Sequence, residues 1–207
     1  MSYSMLSYHK KIQDRMVWLD DFIKSSNVES IVEAGTGAAA QYAKRMCETL
    51  SQNDSKKSKF ISYELSESYS MAAKEILSPY SSFTELHCGD MFSFFKDYES
   101  LQPDLFFLDA GDEKLFNSKW EVEGKDYGPK SRYAAGISEN LDFFLEIQNC
   151  RSSVGTYVIL DDFLYGRGTY ILNYAKDNYH DSFSINWDIL DIVKDVSGAS
   201  LCLLRRI

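Results

Sequence analysis

Residues Ser30-Ile31-Val32-Glu33-Ala34-Gly35-Thr36-Gly37-Ala38-Ala39-Ala40-Gln41, SIVEAGTGAAAQ, read as a short apolar strand, a glycine turn and the opening of a helix. The G-x-G-x-x-A spacing from Gly35 to Ala40 satisfies the dinucleotide fingerprint, in which glycines let backbone amides approach a pyrophosphate at a helix N-terminus. Glycines alone report only that a backbone comes close to a ligand. Glu33 is more informative about that ligand's charge. In a strand it shares a face with Ile31 and stands two residues before Gly35, at the carboxyl edge where such sheets bind ligands. Against a pyrophosphate this carboxylate is a like-charge neighbour; against a ligand carrying an ammonium and a sulfonium it is an attractive partner.

Outward from this turn, strands alternate with helices. Upstream, Leu6, Ile12, Met16, Leu19, Phe22 and Ile23 recur at helical spacing, which predicts an amphipathic cover helix from residue 5 within an N-terminal segment 1–28. Downstream, the helix opened by the turn is expected over 37–50. KFISYELS then supplies a strand ending near Glu64, and 67–77 a helix closed by Pro79. Residues 83–88 form a third strand, followed by Gly89-Asp90 and the aromatic helix MFSFFKDY. The run Asp104-Leu105-Phe106-Phe107-Leu108-Asp109 is apolar throughout and bounded by charge, the pattern of a strand covered on both faces. After an irregular segment, 110–135, a helix over 136–150 leads to the strand TYVILDD, and another helix is expected over 169–178. Strands over 183–190 and 200–205 lie close enough to pair as an antiparallel unit. The pattern predicts a single α/β domain: a doubly wound, Rossmann-like sheet of seven strands, mostly parallel, with the last strand antiparallel.

The chain has 207 residues, 44% hydrophobic and 14% aromatic, enough to bury one substantial core. Its net charge of -9 disfavours nucleic acid as a partner, because that affinity rests on neutralising phosphates. Cys47, Cys88, Cys150 and Cys202 are scattered singly, without a C-x-x-C pair, and are expected as buried free thiols in a reducing compartment. Neither a signal-type apolar run nor a membrane-spanning stretch is visible, so a cytoplasmic protein without a membrane partner is expected.

Several positions together resemble the class I S-adenosylmethionine-dependent methyltransferases. Glu33-Ala34-Gly35-Thr36-Gly37 resembles that family's first motif, E/D-x-G-x-G, with Ala39 where a third glycine is common. The resemblance implies that S-adenosyl-L-methionine is held by Glu33, Gly35, Thr36 and Gly37 and by Glu64 with Leu65 at the ribose. It further implies Gly89, Asp90 and Met91 at the adenine, and Asp109 beside the methionine end or the substrate. Asp90 serves equally well as a cap for the helix that follows it. His87, a lone histidine beside a strand end, is read as structural.

VILDDF places Asp161 and Asp162 at the end of a strand expected next to the Asp109 strand. Three converging carboxylates need protons or a hard cation to compensate them. The arrangement resembles metal-dependent O-methyltransferases of the catechol and caffeoyl-CoA types, whose ligands are two aspartates and an asparagine. Asp109 and Asp161 match the aspartates, and Asp162 stands in the asparagine's place. The resemblance implies Mg or another divalent cation on Asp109, Asp161 and Asp162, orienting the hydroxyl of a small-molecule substrate for attack on the sulfonium methyl. Asp161 and Asp162 read equally as caps of the following turn. As catalytic groups the chain offers Asp109 and Lys114, the latter displaced from the family's lysine position, which here is Asp112.

The segment 110–135 is long for a loop in a compact domain. Trp120, Tyr127 and Arg132 are its substrate-contact candidates if it folds over the cleft, and it serves equally as a homodimer contact. Two other functions stay open: an NAD(P)-dependent oxidoreductase on a Rossmann fold, and a non-catalytic cofactor-binding protein.

Overall fold

The structure, a computed structural model, describes residues 11–52, 57–98, 100–110, 140, 142–147, 153–161, 172, 186–196 and 200–207. Its first element corrects the expected N-terminal helix. Strand β1 (Lys11–Ile12) pairs in parallel with Val193–Lys194, and helix α1 runs only from Arg15 to Ser25. Asp14 sets that start: its carboxylate accepts the N–H of Met16 at 2.8 Å and of Val17 at 3.4 Å, the bonding of an N-cap. Ile12 fits the helical period but belongs to an edge strand.

The remaining strands are β2 (Ser30–Ala34), β3 (Lys59–Glu64), β4 (Thr84–Cys88), β5 (Leu105–Leu108), β6 (Tyr157–Asp161), β7 (Trp187–Lys194) and β8 (Ser200–Arg206). The sheet order is β1-β7-β8-β6-β5-β2-β3-β4, so the seven expected strands are joined by the short β1 at one edge. Pairing is parallel except at β8, which runs antiparallel to both β6 and β7. The chain builds outward from β2 through β3 to β4, then crosses back to lay β5 on the other side of β2. The reversal leaves a crevice at the carboxyl ends of β2 and β5, where open α/β sheets bind their ligands.

Helices α2 (Gln41–Ser51) and α3 (Glu67–Leu77) follow β2 and β3, and the short α4 (Ser93–Asp97) follows β4. One sheet face packs Ile31, Phe60, Phe107 and Ile159 under α1, α2 and α3, through residues such as Leu19, Met46 and Ala73. The other packs Val32, Ile61, Phe106 and Val158 under α4 and the helical residues 142–146, through Phe94, Phe143 and Phe144. The β5 phenylalanines therefore go to opposite cores, which is why that strand is apolar at every position.

Two further boundaries differ from the sequence pattern. Helix α2 begins at Gln41 rather than at residue 37, because Gly37 (φ 67°) and Ala40 (φ 43°) both adopt left-handed backbone that a right-handed helix excludes. Strand β7 runs later than expected, to Lys194, with an irregular register between Ile189 and Asp191 that leaves Leu190 exposed. Cys47 and Cys202 are buried free thiols as expected, but Cys88, at the end of edge strand β4, is exposed; Cys150 lies outside the described residues. The helix expected over 169–178 lies outside them apart from Leu172. No helix among the described residues is long and apolar enough to cross a membrane.

Candidate functional site

The glycine turn leaves β2 at the sheet's carboxyl edge, as its sequence implies. Gly35 adopts φ 91°, and a Cβ there would lie 2.6 Å from both Ala110 Cα and the Asp109 carbonyl oxygen. Only glycine lets the turn rest against the end of β5 in this way. That strand end is itself clamped: buried Asn140 donates from Nδ2 to the Ala110 carbonyl at 2.8 Å and accepts the Ala110 N–H on Oδ1 at 3.1 Å. Asn140 thus holds Ala110, and Ala110 backs Gly35. Sequence reasoning missed this residue, since an asparagine inside a helical period carries no signal of its own.

Beneath the turn, Glu33 is 1% exposed. Its Oε2 accepts the Ser62 hydroxyl at 2.6 Å, and Ser62 in turn is hydrogen-bonded to Thr36. Burial pushes the Glu33 carboxyl up from 4.5 to about 8; the Ser62 and Thr36 hydroxyls pull against that rise, and the nearby Glu64 adds to it. Glu33 therefore sits under the turn as a buried carboxyl whose neutral form is favoured, with hydroxyl partners from β3 (Ser62) and from the turn itself (Thr36). Register explains Ser62, which sequence reasoning also missed: Glu33 and Ser62 are directly paired between β2 and β3.

Glu64 ends β3 as expected. Its Oε2 accepts the Gly37 N–H at 2.8 Å and its Oε1 the Ser66 N–H at 2.8 Å, so the two strand-end turns are tied through one carboxylate. These bonds occupy two of the roughly four acceptor positions of a carboxylate, leaving capacity for ligand hydroxyls. Leu65 beside it is 56% exposed, an apolar surface at the same carboxyl edge of the sheet. Across β4, the Gly89 N–H donates to the Glu64 carbonyl at 2.9 Å. Asp90 is exposed and accepts the Phe92 N–H at 2.9 Å, an Asx turn leading into α4, while Met91 is buried in the core. His87 is structural: it stacks on Tyr63 at 4.7 Å and shares a 3.0 Å hydrogen bond with the Tyr98 hydroxyl. This group of residues suits a nucleoside ligand: a glycine turn, an acid with spare acceptor capacity and an exposed apolar side chain lie on one edge.

Asp109 and Asp161 also come together. The pairing of Leu108 with Leu160 puts each aspartate one residue beyond a registered pair, on neighbouring parallel strands. Asp161 is 7% exposed, and its surroundings were not foreseen. The Arg15 guanidinium donates from Nη1 to Asp161 Oδ1 at 3.3 Å and from Nε to Asp195 Oδ2 at 2.7 Å. The Tyr42 hydroxyl, hydrogen-bonded to Arg15 Nη1, donates to the same Asp161 oxygen at 3.2 Å. Burial, then the neighbouring Asp161 carboxylate, pushes the Tyr42 hydroxyl far up, so it remains a protonated donor. For Arg15, burial opposes the charge, but Tyr42, Asp161 and Asp195 more than offset it and raise the pKa. A cationic guanidinium already lies against the Asp161 carboxylate, and its charge opposes a divalent ion at that oxygen. Among the described residues no group of three metal-ligating side chains converges. Asp162, Lys114, Trp120, Tyr127 and Arg132 lie outside the described residues.

No protein-family model matches the sequence, and no curated protein matches it. Solved structures do match the fold. The O-methyltransferase TomG from Streptomyces achromogenes, involved in tomaymycin synthesis and in complex with SAM, aligns over 93% of this chain and 79% of its own, at 12% identity and TM-score 0.64. The O-methyltransferase from Bacillus cereus in complex with SAH aligns over 95% and 83%, at 13% identity and TM-score 0.62. An rRNA methylase from Streptococcus thermophilus aligns over 95% and 99%, at 14% identity and TM-score 0.57. The chain has the fold of class I methyltransferases: one α/β domain with a mixed, mostly parallel sheet.

Proposed function

We propose that this protein is an S-adenosylmethionine-dependent methyltransferase acting on a hydroxyl oxygen of a small molecule. The observation that carries the reading is Glu64, which ties the Gly37 and Ser66 amides together at the crevice and keeps acceptor capacity for a pair of ribose hydroxyls. When bound, S-adenosylmethionine supplies a sulfonium methyl group for in-line displacement by the substrate oxygen. The chain's part is to bind and orient. Exposed Leu65 offers an apolar surface to the base, and exposed Asp90 an acceptor. Buried Glu33 places a titratable carboxyl under the turn, where a cationic ligand favours its ionised form. Asp109, at the end of β5, is assigned the substrate hydroxyl and its departing proton.

RNA is the less favoured substrate, since a net charge of -9 opposes a polyanion. Cofactor competition tests the reading. S-adenosylhomocysteine should raise the melting temperature while NADH does not, and radiolabelled methyl should pass to members of a panel of hydroxylated compounds. Stabilisation by NADH and not by S-adenosylhomocysteine would establish the oxidoreductase alternative. Tight S-adenosylhomocysteine binding without transfer to any panel member would favour a binding protein.

A further inference from the structure

Carboxylates on neighbouring strand ends need a compensating cation. Here the chain supplies one itself. Arg15, the first residue of α1, reaches across the carboxyl edge to Asp161 on β6 and to Asp195 just beyond β7. It is 20% exposed, against 7% for Asp161 and 19% for Asp195, so this is a partly buried cluster. Tyr42, from the first turn of α2, completes the group by bonding to both Arg15 and Asp161. A guanidinium keeps its charge at any physiological pH, and its planar fork suits bridging two carboxylates.

The helix that carries Arg15 is anchored at three other points. Asp14 caps its start; Trp18 Nε1 donates to Asp191 Oδ2 at 3.1 Å; and Asp20 accepts from Arg45 Nε at 2.8 Å and from Thr49 at 2.7 Å. The guanidinium is therefore delivered by a fixed element and not by a free side chain. We propose that Arg15 is the resident counter-cation of Asp161 and Asp195, that α1 is thereby part of the site, and that no divalent ion binds at Asp161. Arg15 acts through Asp161 and Tyr42 and is a positioning residue. The proposal concerns charge compensation and stands whether or not the protein transfers methyl groups.

The test is Mn2+ uptake by the purified full chain, read from loss of the free-ion paramagnetic resonance signal. Wild type is expected to show no Asp161-dependent site tighter than about 1 mM, the weak end of oxygen-ligand cation sites. Arg15→Met, which keeps much of the stem and removes the charge, should take up Mn2+ at least about tenfold more tightly, and adding Asp161→Asn should abolish that gain. Arg15→Lys, which restores a cation, should behave as wild type; a purely structural role for Arg15 gives no reason for Lys and Met to differ. Binding to wild type tighter than about 1 mM that is lost in Asp161→Asn overturns the proposal, as does an Arg15→Met protein that binds no more Mn2+ than Arg15→Lys. Circular dichroism checks that each variant is folded. Should Arg15→Met fail that check, the wild-type and Asp161→Asn measurements decide alone.

Discussion

Replacing Glu33 by Gln tests the buried carboxyl directly. Its native pKa is raised from 4.5 to about 8 by burial, so between those values the folded protein binds a proton that the unfolded chain has released. Stability attributable to this group is then highest below about pH 4.5 and falls as pH rises through the window, by about 1.4 kcal/mol per unit, levelling off above about pH 8. The full span is about 5 kcal/mol as a ceiling, since relaxation around the charged form reduces it. Gln keeps the volume and an acceptor for Ser62 but does not titrate. The assay is urea unfolding of both proteins across the window, taking the difference in unfolding free energy so that all other titrating groups cancel. Near the acid end the two should differ by no more than about 1 kcal/mol; above about pH 8 Glu33→Gln should be the more stable by several kcal/mol. A difference that stays constant with pH would refute the reasoning, because Glu33 would then have the same proton affinity folded and unfolded.

Other perturbations have equally direct readouts. Gly35→Ala places a methyl 2.6 Å from the backbone of residues 109 and 110 at φ 91°, and denaturant titration should show a loss of at least about 2 kcal/mol. Asn140→Ala leaves the N–H and C=O of Ala110 without their clamp; unfolding should show a cost of about 2 kcal/mol, and S-adenosylhomocysteine affinity should fall because Gly35 loses its support. Asp104→Ala removes the carboxylate that accepts the N–H groups of Glu29 and Ser30 at 2.9 and 2.8 Å; calorimetry should record a lower melting temperature, with ligand affinity unchanged in the remaining folded protein because this is the opposite edge of the sheet.

Asp104 and Asp109 show what could be read from the chain and what could not. Both bound the same apolar strand, and in sequence they look alike. Strand direction separates them: Asp104 fastens the amino end of β5 to the start of β2, whereas Asp109 follows the carboxyl end of β5, its N–H paired with the Ala34 carbonyl at 2.9 Å. The order of elements and the positions of Gly35, Glu64 and Asp90 were legible because each depends on local spacing around a strand end. The start of α1 was not, since Ile12 satisfies a helical period while its backbone pairs with β7, a strand some 180 residues later.

The same distinction governs the site's charges. Spacing along a strand can say which residues reach the carboxyl edge, and it placed Glu33, Asp109 and Asp161 there. It cannot say what meets them, because a partner is set by register and packing between elements remote in the chain. Ser62 meets Glu33 because β2 and β3 pair without offset, and Arg15 meets Asp161 across 146 positions because α1 folds over β6. An acid at a strand end therefore predicts a need for compensation, and only the fold reveals whether that need is answered by a hydroxyl, a proton, a guanidinium or a bound ion. At Glu33 it is answered by hydroxyls and a proton, and at Asp161 by Arg15. A resemblance built on the acids alone carries over the family's cation together with its carboxylates, although the two are separable: the carboxylates belong to the sheet, and the cation belongs to whatever packs against it.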